Sequence, residues 1–245
     1  MLPTDYGLGF INPSHPAARV VPALLITSVF GIFGFLSRGV TLPGAIAGSV
    51  SAFLIYLGLG FGGFVTLFSV FAITWLTTRT GYSRKRALGL AEDPQGRDAR
   101  QVLANVAVGA LFAVLALRFG HAMACAAVAA LAEAAADTAS SEVGEASSGR
   151  AWLITSLKRV EPGTNGGISF PGTLAAIVAA LAVATCARVF HVIPSLTAAA
   201  VAGVLGTLVD SWLGATVERQ GWIGNNGVNF LSTLSAALIA IALAI

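Results

Sequence analysis

The chain has 245 residues, of which 56% are hydrophobic and only 10% are charged, and its formal net charge is +3 at pH 7. Its mean hydropathy of +0.83 excludes a soluble globular protein, because one soluble core cannot enclose so much apolar surface. The composition predicts a single membrane domain over residues 1–245 and leaves no room for a sizeable soluble module. We expect membrane lipids as partners and no nucleic acid.

The hydropathy profile predicts an all-α integral membrane protein with about eight transmembrane helices. In chain order, the predicted spans cover residues 20–37, 41–60, 63–78, 101–118, 121–137, 172–190, 194–214 and 228–245. Threading the chain through these spans puts eleven of its fourteen Lys and Arg residues on one side. By the positive-inside rule that side is cytoplasmic, so both termini are predicted to lie outside the inner (cell) membrane.

Three cytoplasmic loops are predicted: a basic loop at 79–100 and two polar loops at 138–171 and 215–227. The connectors on the other side are only a few residues long, so we expect the functional site at the cytoplasmic face. The basic run at 83–86 has two interpretations, namely contact with anionic lipid headgroups or a direct role in substrate binding.

An internal repeat relates residues 165–174 to residues 225–234, with identities at an Asn, a Gly, a Phe, a Thr and a Leu. A fainter copy occupies residues 39–44. The helices that precede the two strong copies end in Asp137-Thr138 and Asp210-Ser211. The repeat therefore predicts repeated helical hairpins that bring Asp137 and Asp210 close together in space.

Acidic residues at these helix ends are the first candidates for chemistry. A carboxylate near a membrane span costs several kcal/mol unless water, a cation or a partner accompanies it. Glu133 lies one turn deeper than Asp137 on the same helix face, and carboxylates that converge from separate helices suit Mg²⁺. For Glu145 and Glu218 the favoured alternative is an interfacial ion pair with Arg150, Lys158 or Arg219.

A glycine-rich segment at 162–167 directly precedes a predicted helix. Such a turn can direct backbone N–H groups at a phosphate, although it can equally provide a tight start for a membrane helix. It is not a Walker A sequence, because no Gly-Lys-Ser/Thr follows the glycines. Five asparagines are unusual in so apolar a chain and are suited either to substrate binding or to helix packing: Asn105, Asn165, Asn225, Asn226 and Asn229.

Together, these features favour phosphoryl transfer to a lipidic acceptor, and their order along the chain resembles the DUF92 membrane family. That family includes the transmembrane protein 19 group and the phytyl-phosphate kinases. The resemblance covers the chain from about Arg97 to the C-terminus, with departures at Val106 and Ala139. It rests on the motifs at 101–105, 136–138, 141–144, 163–169, 172–173, 210–215, Gln220, Asn226 and 228–229.

The resemblance implies a CTP- or other NTP-dependent kinase that converts a prenyl monophosphate, such as phytyl or geranylgeranyl phosphate, to the diphosphate. It implies Asp137, Glu142 and Asp210 as the catalytic residues that hold Mg²⁺, with the isoprenoid tail among the helices. The residues implied in nucleotide and phosphate binding are Arg97, Arg100, Asn105, Lys158, Arg159, Gly163, Thr164, Asn165, Gly166, Gly167, Ser211, Asn225, Asn226 and Asn229. Two alternatives remain: a transporter or flippase of a lipid phosphate, and a CTP-using lipid-phosphate cytidylyltransferase.

Overall fold

The computed structural model describes residues 16–147 and 150–244, which form eight α-helices and a small β-sheet. The helices are α1 (Val20–Leu36), α2 (Leu42–Arg79), α3 (Tyr82–Ala87), α4 (Ala99–Phe119), α5 (His121–Ala146), α6 (Phe170–Val189), α7 (Thr197–Leu213) and α8 (Asn225–Ala244). A 3-10 turn at Pro16–Arg19 precedes α1, and a π-helical turn at Gly214–Glu218 follows α7. The N-terminus was predicted to lie on the outer side of the membrane, but residues 1–15 are not among the described residues.

Among the described residues, six helices are long and apolar enough to cross a membrane, namely α2 and α4 to α8, whereas α1 is apolar but shorter. The multi-pass helical prediction is therefore confirmed, with six candidate spans rather than eight when α2 is counted once. Within the 38 residues of α2, Gly60 has a φ of +70°, a conformation that glycine adopts without a steric penalty. Gly44 and Thr78 line one cavity although 34 positions separate them. The helix therefore folds back at Gly60 into two limbs, as the separate predictions for 41–60 and 63–78 required.

Helix α5 lies at the centre of the bundle and packs against α2, α4, α6, α7 and α8. In its most apolar stretch 83% of residues are buried, against 39–44% in the other candidate spans. Most of that stretch is alanine, and small side chains let helix backbones approach closely within a membrane. This central position holds the acidic residues of α5 inside the protein rather than against lipid.

Two helices begin with the same capping arrangement, which gives the faint repeat at 39–44 a structural meaning. The Ser169 hydroxyl accepts a hydrogen bond from the Gly172 amide at 3.2 Å at the start of α6. The Thr41 hydroxyl accepts one from the Gly44 amide, also at 3.2 Å, at the start of α2. A proline in the first turn of each helix completes the match.

The predicted loop boundaries need correction. The loop predicted at 79–100 contains α3 and overlaps the start of α4 at Ala99, and the loop predicted at 215–227 contains most of the π-helical turn and overlaps the start of α8 at Asn225. Residues 138–146 are helical because α5 continues to Ala146, so the loop predicted from residue 138 begins later. The rest of that loop contains a three-stranded antiparallel sheet, which the sequence analysis did not predict. Its strands are β1 (Ala151–Leu153), β2 (Arg159–Val160) and β3 (Gly167–Ile168), in the spatial order β2-β1-β3.

Candidate functional site

A polar cavity of about 370 Å³ opens at one end of the bundle, between the ends of α4, α5, α7 and α8 and the loops after α3 and β2. The three predicted site residues outside its lining are Arg100, Lys158 and Arg159. The other fourteen line it: Arg97, Asn105, Asp137, Glu142, Gly163, Thr164, Asn165, Gly166, Gly167, Asp210, Ser211, Asn225, Asn226 and Asn229.

The side chains of Asp137 and Asp210 line the same part of the cavity and interact with each other. Asp137 comes from α5 and Asp210 from the last turn of α7, so two repeats deliver one carboxylate each. The Ser232 hydroxyl of α8 donates a hydrogen bond to Asp210 Oδ2 at 3.1 Å and fixes that carboxylate. The spatial pairing that the repeat predicted is confirmed.

Glu133 lies one helical turn deeper and is only 1% exposed. It interacts electrostatically with both Asp137 and Asp210. Among the described residues neither Glu133 carboxylate oxygen has a hydrogen-bond partner. Three neighbouring carboxyl groups with one left unpartnered form an environment that a cation would stabilise.

The aspartate pair fits Mg²⁺, which usually takes one or two protein carboxylates and completes its shell with water and phosphate oxygens. Within residues 16–147 and 150–244, no three His, Cys, Asp or Glu side chains are spaced to enclose a metal ion by themselves. The remaining ligands would therefore come from water and a bound phosphate. Asp137 and Asp210 are the residues that could hold such an ion.

Glu142 has a partner that the sequence analysis did not predict. Its carboxylate forms an ion pair with Lys85 of α3, whose side chain is fully buried. Lys85 Nζ also donates to the Thr78 carbonyl at 2.7 Å, so it links α3 to both α2 and α5. Within the basic run at 83–86, Lys85 is therefore buried, whereas Arg84 and Arg86 are exposed.

Glu145 and Glu218 also line the cavity, together with Glu92 and Asp93 from the loop after α3. The expected ion pairs of Glu145 and Glu218 with Arg150, Lys158 or Arg219 do not occur in the described structure. Within the described part of the chain, Arg97 is the cation that lines the cavity. Its guanidinium lies 3.4 Å from Glu92 and donates to the Thr138 hydroxyl at 3.3 Å.

The glycine-rich turn is held tightly against the end of α7. Gly163 and Gly166 have φ angles of +81° and +76°, which favour glycine. A Cβ at Gly166 would lie 2.4 Å from the Ala215 backbone nitrogen, and one at Gly163 would lie 2.4 Å from the Leu90 side chain. The turn is thus fixed between the π-helical turn and the loop after α3.

Gly166→Ala is expected to displace this turn and to destabilise the protein, whereas Gly221→Ala is its matched control. Both residues have a positive φ, which costs alanine about 1–2 kcal/mol, but nothing lies within 4 Å of a Cβ at Gly221. Thermal unfolding in detergent should therefore show a larger fall in Tm for Gly166→Ala than for Gly221→Ala. Equal Tm values in the two variants would contradict a tightly held turn.

The asparagines divide into two groups. Asn229 Nδ2 donates to Asn105 Oδ1 at 3.4 Å, and Asn105 Nδ2 donates to the Gln101 carbonyl at 2.8 Å. These buried amides link α8 to α4, as expected if Asn105 and Asn229 serve helix packing. Asn165 and Asn225 are exposed on the cavity lining and Asn226 is partly buried there.

The structure adds lining residues that were not selected as site residues. Gln101, Thr138, Ser141 and Ser169 all lie in the motifs that carry the family resemblance, so that signal was present in the sequence. Glu92 and Asp93 belong to a loop without repeat or periodic pattern. No comparable sequence signal marked the loop.

Comparisons with known proteins agree with the resemblance. The model of the family described as "Integral membrane protein DUF92" matches residues 25–237. An uncharacterized membrane protein of Methanocaldococcus jannaschii is 33% identical over 233 residues, covering 94% of this chain and 97% of that protein. Protein PGR of Arabidopsis thaliana is 27% identical over 287 residues, covering 92% and 96%. Protein VTE6, a chloroplastic protein of the same plant, is 28% identical over 218 residues, covering 84% and 66%.

No solved structure matches the chain. The family match nevertheless extends over most of the sequence, from α1 to α8, and includes every residue of the polar cavity. The chain therefore belongs to the DUF92 family of integral membrane proteins.

Proposed function

We propose that the protein is a kinase that uses CTP, or another nucleoside triphosphate, to convert a prenyl monophosphate to the diphosphate. The observation that carries the proposal is the Asp137–Asp210 pair in a polar cavity that also contains Arg97 and the glycine-rich turn. The family resemblance to phytyl-phosphate kinases, together with the similarity to VTE6, supports phytyl or geranylgeranyl phosphate as the acceptor.

In the proposed reaction an oxygen of the acceptor phosphate attacks the γ-phosphorus of the nucleotide. A new oxygen–phosphorus bond forms, the bond from the γ-phosphorus to the β,γ-bridging oxygen breaks, and the nucleoside diphosphate leaves with that electron pair. The acceptor phosphate is already an anionic nucleophile, so the reaction needs no strong general base. Positioning and charge neutralisation supply most of the catalysis in such reactions.

The cavity residues have distinct roles in this proposal. Asp137 and Asp210 hold Mg²⁺, which when bound neutralises phosphate charge. Arg97 adds a positive charge beside them, and the Gly163–Gly167 turn with Asn225 and Asn226 orients phosphates. Glu142 acts through Lys85, since that ion pair already engages its carboxylate.

The three predicted cations outside the cavity lining have a weaker role. Arg100, Lys158 and Arg159 are exposed, and their charges attract an anionic nucleotide without contacting it in the cavity. The proposal also puts the cavity at the cytoplasmic face of the cell membrane. Arg38, Arg79 and Arg97 lie at this end of the bundle, in accord with the positive-inside rule.

Product analysis tests the reaction. Purified protein in detergent is incubated with Mg²⁺, geranylgeranyl phosphate and either CTP or ATP labelled at the γ-phosphate. A kinase transfers the label to geranylgeranyl diphosphate and releases the nucleoside diphosphate. A cytidylyltransferase releases labelled pyrophosphate and forms a CDP-lipid, whereas a transporter or flippase leaves both compounds unchanged.

A further inference from the structure

A second cavity, of about 140 Å³, lies beside the polar one and is lined mainly by apolar residues. We call it the apolar groove. It lies between α1, both limbs of α2 and α4, with Phe30, Gly34, Gly48, Leu67, Phe71 and Val102 among its lining residues. Nothing in the proposed phosphoryl transfer requires a cavity of this kind.

The two cavities adjoin each other. Glu92, Asp93, Arg97, Gln101 and Asn105 line both of them. These shared side chains form the boundary across which a molecule with an anionic head in the polar cavity would extend an apolar chain into the groove.

Three arginines, Arg38, Arg79 and Arg97, line the groove together with two acidic residues, Glu92 and Asp93, so that cations are in excess among its charged residues. The Arg79 guanidinium lies 3.8 Å from the centre of the Trp75 ring and donates to the Ser37 carbonyl at 3.1 Å, which fixes it at the boundary. A charged rim above an apolar interior matches a lipid that carries a phosphate.

The lining of the groove combines glycines from α1 and the first limb of α2 with the aromatic rings of Phe30, Phe71 and Trp75. The Phe30 and Phe71 rings pack edge to face with centroids 5.4 Å apart. Along the second limb of α2, Leu67 and Thr78 both line the groove, and eleven residues at the helical rise correspond to a depth of about 16 Å. That depth accommodates a chain rather than a compact ligand.

Close packing explains why Gly31 and Gly44 are glycines, but it does not explain Gly48. A Cβ at Gly31 would lie 2.0 Å from the Ser49 hydroxyl oxygen and one at Gly44 would lie 2.4 Å from the Arg97 carbonyl oxygen, so close packing requires those two. A Cβ at Gly48 would meet only a Val102 methyl group at 3.8 Å. Glycine inside a helix costs about 0.5–1 kcal/mol relative to alanine, and packing does not require it here.

We propose that the apolar groove binds the hydrocarbon chain of the lipid phosphate acceptor, and that Gly48 keeps it open for a long branched chain. The inference rests on the proposed function for the identity of the head group. The acceptor's own chain is the occupant, because the groove joins the site where its phosphate is bound. A bulk phospholipid chain is the competing occupant.

The kinetic test compares two acceptors in the Gly48→Leu variant. The KM for geranylgeranyl phosphate should rise about tenfold or more, because the leucine fills space that the chain needs. The KM for the short acceptor isopentenyl phosphate should stay within about threefold of wild type, and so should the KM for the nucleotide. A threefold change is well below the tenfold change that corresponds to about 1.4 kcal/mol. Val50→Phe adds bulk on the exposed side of the same helix, where Val50 is 54% exposed, and should change neither value.

A binding test uses wild-type protein and a geranylgeranyl phosphate that carries a diazirine on its chain. Photolabelling should map to peptides containing Phe30, Phe71 or Val102, and unlabelled geranylgeranyl phosphate should compete whereas phosphatidylglycerol vesicles should not. This measurement also decides the case if Gly48→Leu fails to fold. Label outside the groove, or equal competition by phosphatidylglycerol, would overturn the inference.

The two proposals fail in different ways. If wild-type protein phosphorylates no prenyl phosphate while the label maps specifically to the groove, the kinase proposal is wrong and the chain-binding site stands. If the protein is an active kinase while Gly48→Leu affects long and short acceptors equally, the groove inference is wrong and the kinase stands.

Discussion

Asp137→Asn and Asp210→Asn are each expected to reduce phosphoryl transfer by about 10²- to 10³-fold or more, the range found when one electrostatic contact to a developing charge is removed. Asparagine keeps the shape of the side chain but removes its charge. In the wild-type protein the two carboxyl groups interact with each other, so either substitution removes one of the two negative charges that the pair offers to a cation. Steady-state assays over a range of Mg²⁺ concentrations measure the loss and any rise in the Mg²⁺ requirement.

The matched control is Asp93→Asn. Asp93 also lines the cavity, but it is exposed and its carboxylate accepts a hydrogen bond from the Gln95 amide in a turn. We expect this variant to retain most of its turnover. Size-exclusion profiles and Tm values in detergent should match wild type for all three variants, and full activity in both Asp137→Asn and Asp210→Asn would rule out the metal site.

Lys85→Met is expected to destabilise the protein by about 3–5 kcal/mol, because it leaves the Glu142 carboxylate buried without its partner. Glu142→Gln should have a smaller effect of the same sign, since the amide can still accept a hydrogen bond from Lys85. The double variant Lys85→Met/Glu142→Gln removes both charges and should recover much of the lost stability. Denaturant unfolding in detergent measures the three changes in the free energy of unfolding.

Arg84→Met is the control for this pair, because Arg84 is an exposed neighbour on α3 and its replacement should change stability by no more than about 0.5 kcal/mol. The double variant also tests how Glu142 acts. If it is stable and has the wild-type Mg²⁺ dependence, Glu142 positions α3 against α5. If it is stable but requires more Mg²⁺, Glu142 contributes to ion binding, as the family resemblance implied.

The repeat in the sequence was sufficient to predict the centre of the polar cavity. Equivalent positions in repeated hairpins occupy equivalent places, so Asp137 and Asp210 could be paired without any knowledge of the helix packing. The glycine-rich turn and Asn225 follow the same logic, since each lies next to one of those aspartates in the repeat. Their catalytic roles stay predictions.

Features that depend on contacts between unlike segments could not be predicted in this way. Lys85 looked like one member of a surface basic run, and only the docking of α3 against α5 buries it beside Glu142. Lys158 and Arg159 lie next to the glycine-rich turn in sequence, but the pairing of β1 with β2 carries them outside the cavity lining. Arg100 lies one residue from Gln101, about 100° around the same helix, and so leaves the lining face.

The central position of α5 has a consequence for the biogenesis of the protein. Isolated in lipid, a helix that contains Glu133 and Asp137 would insert poorly, because an acidic residue at the centre of a span costs about 2.5–3.5 kcal/mol. Three of the helices that surround α5, namely α6, α7 and α8, follow it in the chain and are synthesised later. We therefore expect α5 to enter the membrane first. Its carboxylates can form the site only after α7 and α8 have been synthesised and packed against it.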